Sequence, residues 1–333
     1  MTTPVAGFWE SLSWTDPYTI CSRETRDDPL PPGLSMTVYH PPSHPLSHID
    51  ATAVCHFLAT HFGNPPHTPQ FCLSPTTDLL TDDDYLYIVQ RHRQADSQMV
   101  GSVRYRWIGT EASQGRRLYA VDAFCVHPEY RRTGVGRALL LRLHRDANQR
   151  GIPYAFFLKE GRPLSWWIRP VYTGYYAFCE TATCLRHTYP TSIRSLPTPL
   201  AHRLLRIYAA IYPDVFILFP GHTRNQIWKQ YQKGTHTILV CIQDTYQRKG
   251  VRRMGWVTAW LESSTVTDAH RARAAEEVAA SVAETYEDLW MNREWVPRSE
   301  TDSRIWHDDG GFQWYAFQWS VSIGGKSYCL LHG

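Results

Sequence analysis

The stretch Val121-Asp122-Ala123-Phe124-Cys125-Val126-His127-Pro128-Glu129-Tyr130-Arg131-Arg132-Thr133-Gly134-Val135-Gly136-Arg137-Ala138-Leu139-Leu140 limits the possible folds more than any other part of the chain. An apolar strand runs into a short basic turn and then straight into a helix marked by its leucine spacing. Gly134 and Gly136 let the backbone of that turn come close to a ligand. The first N–H groups of the helix have no acceptor one turn earlier, and the helix dipole adds positive potential there. Arg131, Arg132 and Arg137 add charge to the same place. The stretch therefore reads as a phosphate-cradling turn, with a plain connecting loop as the alternative.

Around this unit the 333 residues divide into two parts. Residues 1–46 carry Pro29, Pro31, Pro32, Pro41, Pro42 and Pro45 and read as an extended N-terminal arm. Ser47 and Asp50 form a capping box before an apolar-periodic helix that ends at Phe62–Gly63. Strands are expected at Tyr85–Gln90, Met99–Ile108, Leu118–Val126 and Tyr154–Leu158, with a helix at Leu139–Ala147. Residues 47–187 thus make one unit and the Pro/Ser/Thr-rich residues 188–199 a linker, with a second unit over 200–333. In the second unit helices are expected at His202–Tyr212, at Arg224–Tyr231 and from Asp268 to about Trp290. A hairpin of Thr237–Gln243 and Gly255–Leu261 should flank the polar turn Asp244–Val251, with strands at Gln313–Ser320 and Ser327–Leu331. Both units follow one order of helices, hairpin, strand, helix and strand, which predicts an α+β protein of two related halves.

Composition removes several classes of function. Thirty-four Lys+Arg against 31 Asp+Glu leave a net charge of +3, too little to argue for nucleic acid or an anionic membrane. No apolar run has the roughly 18–20 residues of a membrane span, and the first thirty residues lack a secretory pattern. Eight scattered cysteines without a C-x-x-C pair point to reduced thiols in a cytoplasmic protein, not to a zinc site. The 13 Trp, 19 Tyr and 12 Phe supply apolar surface for a core or for a long apolar ligand.

The spacing Arg131-x-x-Gly134-x-Gly136 resembles the R/Q-x-x-G-x-G/A signature of the GNAT acyltransferase superfamily, which binds the pyrophosphate of coenzyme A. Three further segments resemble eukaryotic protein N-myristoyltransferase, a chain of two fused GNAT-like halves. They are Gly7-Phe8-Trp9-Glu10, Phe124-Cys125-Val126-His127, and Asp309-Gly310-Gly311-Phe312-Gln313-Trp314-Tyr315-Ala316-Phe317-Gln318-Trp319. Leu73-Ser74 and Val100-Gly101 follow the same order. Asp122 and Ala123 depart from the family, which has Asn and Phe there, and the turn keeps glycines where that family has basic residues.

The resemblance implies an acyl-CoA N-acyltransferase fold of two fused halves, with mixed twisted sheets flanked by helices. It places acyl-CoA on Phe8, Trp9, Cys125, Val126 and the run Arg131, Arg132, Thr133, Gly134, Val135, Gly136 and Arg137, with no metal. The first half would bind acyl-CoA and the second the acceptor. The implied reaction moves an acyl group, myristoyl above all, to the N-terminal glycine of a protein or peptide. Acetyl transfer to a lysine or small amine, and a CoA- or peptide-binding homologue without activity, are the alternatives. The backbone amides of Ala123 and Phe124 would hold the thioester oxygen, and the terminal carboxylate of Gly333 would take the ammonium proton. His332 and Asp122 are the alternative bases, His127 follows the motif strand and either caps the turn or takes part in catalysis, and Tyr175 and Tyr176 lie where many GNAT enzymes place a tyrosine acid.

Overall fold

The computed structural model describes residues 29–62, 70–76, 78–93, 96–164, 170–213, 215–220, 225–297, 305–317 and 328–329. The order of elements in the first half is β1 (Leu34–Tyr39), α1 (His48–His61), β2 (Gln70–Phe71), β3 (Tyr85–Arg93), β4 (Asp96–Glu111), β5 (Arg117–Val126), α2 (Val135–Gln149) and β6 (Ala155–Glu160). There follow β7 (Tyr172–Glu180), α3 (Thr181–His187), β8 (Ile193–Leu196), α4 (Thr198–Ile211), β9 (Phe216–Pro220), β10 (Gln226–Lys233), β11 (His236–Lys249) and β12 (Arg252–Glu262). The chain closes with α5 (Asp268–Ala280), β13 (Asp288–Asn292), β14 (His307–Phe317) and β15 (Tyr328–Cys329).

Local signals account for much of the first half. The Ser47 side chain accepts the Asp50 N–H at 3.1 Å, as the capping box requires, and Phe62 is the C-cap; such a cap is worth about 1 kcal/mol. In β3, Leu86 and Ile88 pack under Val54, Phe57 and Leu58 of α1, while Tyr87 and Val89 pack under Leu139 and Leu143 of α2. One helix therefore covers each face, as the two-fold alternation of a strand dictates. Each buried leucine or valine contributes about 1.5–3 kcal/mol.

The strands form one sheet whose main path runs β1-β3-β4-β5-β6-β14-β7-β13-β12-β11-β10-β8. The two halves meet within this sheet, because β14 from the end of the chain lies between β6 and β7. Phe317 pairs with Ala155 and Phe312 with Glu160 on one side, and Trp314 pairs with Tyr172 on the other. Two smaller pairings also cross between the halves: β2 with β11 and β9 with β4.

Five sequence expectations need correction. Part of the proline-rich arm is an edge strand, β1, antiparallel to β3. The 188–199 linker contains β8 and the first two residues of α4. Arg224–Tyr231 is not a helix: Gln226–Lys233 is strand β10, between β8 and β11, with Trp228, Lys229, Gln230 and Tyr231 all buried. A strand covered on both faces loses its alternation, and apolar residues at 227, 228 and 231 then imitate a helical turn. The alanine-rich helix is capped by Thr267 and stops at Ala280, and Trp290 belongs to strand β13 between β7 and β12. Finally, Asp244–Val251 is mostly strand, with β11 and β12 running on through a bulge between Asp244 and Arg248.

Candidate active site

The site begins where β5 leaves its neighbour. β5 and β6 pair in parallel at Tyr119–Ala155 and Ala120–Phe156 only, then diverge. On its other edge β5 carries a bulge: Cys125 pairs with Ser102 and Asp122 with Arg104, so Ala123 and Phe124 together face one residue of β4. Ala123 has φ 48°, the left-handed region. The inserted residue also reverses the faces. Tyr119 and Val121 pack on the α2 side, whereas Ala123 and Cys125, of the same parity, pack on the α1 side.

The bulge turns two consecutive N–H groups the same way. The Tyr119 N–H points to β6, bonding the Tyr154 carbonyl at 3.0 Å, so alternation turns the Ala123 N–H to that side as well. The Ala123 carbonyl turns to β4 and accepts the Ser102 hydroxyl at 2.9 Å. In a trans peptide the N–H opposes the carbonyl, so the Phe124 N–H also faces the gap between β5 and β6. Two adjacent amides aimed at one point in a cleft can hold an oxyanion.

Past the bulge, the turn is fixed by its own contacts. The His127 N–H bonds the Val100 carbonyl at 2.8 Å, and the His127 ring accepts the Glu129 N–H at 3.3 Å. His127 therefore caps this turn. Arg131 Nε reaches back to the Val126 carbonyl at 3.2 Å, and Thr133 Oγ1 donates to the Tyr130 carbonyl at 2.7 Å. Gly134 caps α2 at φ 97°, with no side-chain cap over the first N–H groups. A Cβ on Gly136 would lie 3.1 Å from Phe124 Cζ, so the glycine lets α2 begin directly over the strand. Arg131, Arg132, Thr133 and Gly134 are exposed at this helix start.

A cavity of about 660 Å³ opens beside the bulge, lined from both halves. Phe124, Phe157, Trp256, Trp290 and Trp314 supply apolar walls. On one side Asp122 is held by Arg104 (Nε–Oδ1 2.6 Å) and Arg106 (Nε–Oδ2 2.7 Å). Burial pushes the Asp122 carboxyl up, but the two guanidinium groups outweigh it and hold it at about 2. On another side Glu160, at the end of β6, accepts the Tyr176 hydroxyl at 3.2 Å, and Asp309 lies near both. Glu160 is exposed where it lines the cavity; desolvation by the atoms around it still raises its carboxyl, and burial raises the Tyr176 phenol.

The structure places Ala123 and Phe124 on the cavity, and Val126 with the turn from Arg131 to Arg137 beside it, where Gly136 sits against Phe124 and Val126. Cys125 turns its thiol into the α1 core, where burial pushes it up to about 11, so it offers the cleft backbone only. Phe8, Trp9, His332 and Gly333 lie outside the described residues. Asp122 is locked in its ion pairs and is no base near neutrality. Tyr175 is 62% exposed, while Tyr176 lines the cavity. Arg104, Arg106, Ser102 and Glu160 went unread in the sequence. Two arginines alternating inside the apolar Val103-Arg104-Tyr105-Arg106-Trp107 carried a signal, since buried cations need a shared anion.

Comparison with known proteins agrees with this geometry. Residues 53–163 match the family described as the acetyltransferase (GNAT) family. The family match covers a third of the chain, and beyond it the likeness is one of fold. Over nearly its full length the chain is similar to Saccharomyces cerevisiae N-myristoyltransferase with bound myristoyl-CoA: TM-score 0.67 at 10% identity, covering 95% of this chain and 93% of that one. Another structure of the yeast protein with myristoyl-CoA gives 0.65 at 10% identity over 98% and 92%. A third, with myristoyl-CoA and inhibitors, gives 0.62 at 10% over 98% and 94%. At such identity the shared feature is the fold. No curated protein matches the chain in sequence.

Proposed function

We propose that this chain transfers an acyl group from acyl-CoA to a primary amine, with a long-chain donor such as myristoyl-CoA and an N-terminal glycine as acceptor. One observation carries the reaction class: the Ala123 and Phe124 amides face the same gap, next to the anion-ready start of α2. CoA pyrophosphate on the turn from Arg131 to Gly136 would lead the pantetheine arm along the open edge of β5. The thioester oxygen then meets the two amides, in a pocket where donors are worth more than in water. The finer reading is supported by the end-to-end likeness to a protein crystallised with myristoyl-CoA. The cavity beside the bulge, walled by both halves, offers room for a peptide end. Buried cysteines with free thiols, Cys125, Cys179 and Cys241 among them, accord with a reducing, cytoplasmic setting.

Mass spectrometry of the purified protein should find co-purified acyl-CoA, and calorimetry should measure its binding. Gly134→Ala places a side chain at φ 97° and strains the turn by about 1–2 kcal/mol. It should weaken CoA binding about tenfold with the fold retained. Unchanged CoA binding in that variant removes the turn from the site. Tighter binding of acetyl-CoA than of myristoyl-CoA removes the long-chain donor.

A further inference from the structure

The chemistry needs a group to take a proton from the acceptor ammonium. The carboxylates around the cavity differ sharply in what holds them. Asp122 is bound by two arginines, and Asp244 is bound by Arg253. Glu160 has no such partner: among the described residues no Lys or Arg side chain pairs with its carboxylate, and its hydrogen bond comes from the neutral Tyr176 hydroxyl at 3.2 Å. Its place along the sheet also matters. Continued past Ala120, the parallel register of β5 and β6 sets Ala123 opposite Lys159 and Phe124 opposite Glu160. The strands diverge there, so Glu160 stands across the gap from the two amides and lines the same cavity.

We propose that Glu160 is the general base of the acyl transfer, that Tyr176 positions it, and that Asp309 tunes it; the inference rests on the acyl-transfer reading above. Glu160 takes one proton from the acceptor ammonium, and the freed nitrogen lone pair attacks the thioester carbon. As the C–N bond forms, the carbonyl pair moves onto the oxygen held by the Ala123 and Phe124 N–H groups. The C–S bond then breaks with its electron pair on sulfur, and a second proton from the same nitrogen converts the CoA thiolate to the thiol. Glu160 returns its proton to water.

The groups facing Glu160 come from three strands: Lys159 on its own strand, whose Nζ donates to the Glu160 backbone carbonyl at 3.3 Å, Tyr176 on β7, and Asp309 in the bulge of β14. Burial and the Asp309 charge raise the Glu160 carboxyl, while the Tyr176 hydrogen bond lowers it. A base must be deprotonated, so activity falls as pH drops through the raised pKa of Glu160.

The test follows CoA thiol release from myristoyl-CoA or acetyl-CoA across pH, with a glycine-initiated peptide or a small primary amine as acceptor. Glu160→Gln should lower kcat/KM about 10²–10⁴-fold with acyl-CoA affinity unchanged, and Glu160→Asp should recover part of it. Tyr176→Phe should move the acidic limb to higher pH and Asp309→Asn to lower pH, opposite displacements that a merely structural contact would not produce. Should Glu160→Gln fail to fold, those two variants decide, and a limb that moves in neither overturns the proposal. A Glu160→Gln protein as fast as wild type also overturns it, and loss of turnover on deleting His332 and Gly333 would then give the role to the chain terminus. Absence of thiol release by the wild-type protein with every donor and acceptor rejects the acyl-transfer reading and this proposal with it.

Discussion

Asp122 shows how one residue can be prominent in a sequence and act elsewhere than expected. Sitting in the motif strand, it reads as a possible base, yet Arg104 and Arg106 enclose it and Arg104 is anchored further on the Asp78 and Leu79 carbonyls at 2.8 and 2.9 Å. Its role is to neutralise two cations behind the bulge. A carboxyl held at about 2 stabilises the fold above the ordinary carboxylate range and ceases to do so as pH falls through about 2. Linkage puts this at roughly 2 kcal/mol near neutrality. Asp122→Asn should cost at least that much in urea unfolding at neutral pH, because it also leaves two arginines uncompensated. The deficit from lost linkage should shrink as the wild-type carboxyl protonates. A deficit that stays constant down to pH 2 would mean that the ion pairs contribute nothing.

Among elements, those of the first half were readable wherever a cap or an alternation survives burial: Ser47 before α1, and the period-two faces of β3 and β5. The bulge at Ala123 was not readable from the residues themselves, because an extra residue in a strand leaves no mark on composition. The family resemblance pointed to its two amides, and the reversal of faces between Val121 and Ala123 marks the bulge itself. β10 and β13 were misread for the opposite reason, since full burial erased their alternation. If the bulge aims the amides, Ser102→Ala should loosen it by removing the hydroxyl that holds the Ala123 carbonyl. The loss is about 1 kcal/mol of stability, and turnover should fall about tenfold while acyl-CoA affinity holds. Equal turnover in the variant would show that the backbone keeps its shape without the serine.

On the scale of the whole molecule, the α+β class and the glycine turn were legible, but not the order of strands that joins the two ends of the chain. Which strand lies beside β6 depends on contacts far apart in sequence, and Trp314, Tyr315 and Phe317 carry only a general demand for burial. Because β14 fills the space between β6 and β7, the first half alone should expose an unsatisfied sheet edge beside its candidate site. Residues 1–200 expressed by themselves should therefore aggregate or lack a cooperative urea transition; a sharp, reversible transition would show that the half is autonomous. The same strand fixes a timetable for synthesis. Ala155 leaves the ribosome long before Phe317, its partner, has been made, so the nascent first half must wait, incomplete, until β14 emerges. The candidate cleft is in that sense completed only by a late strand, and a premature stop codon anywhere before β14 would spoil the half that had already been made.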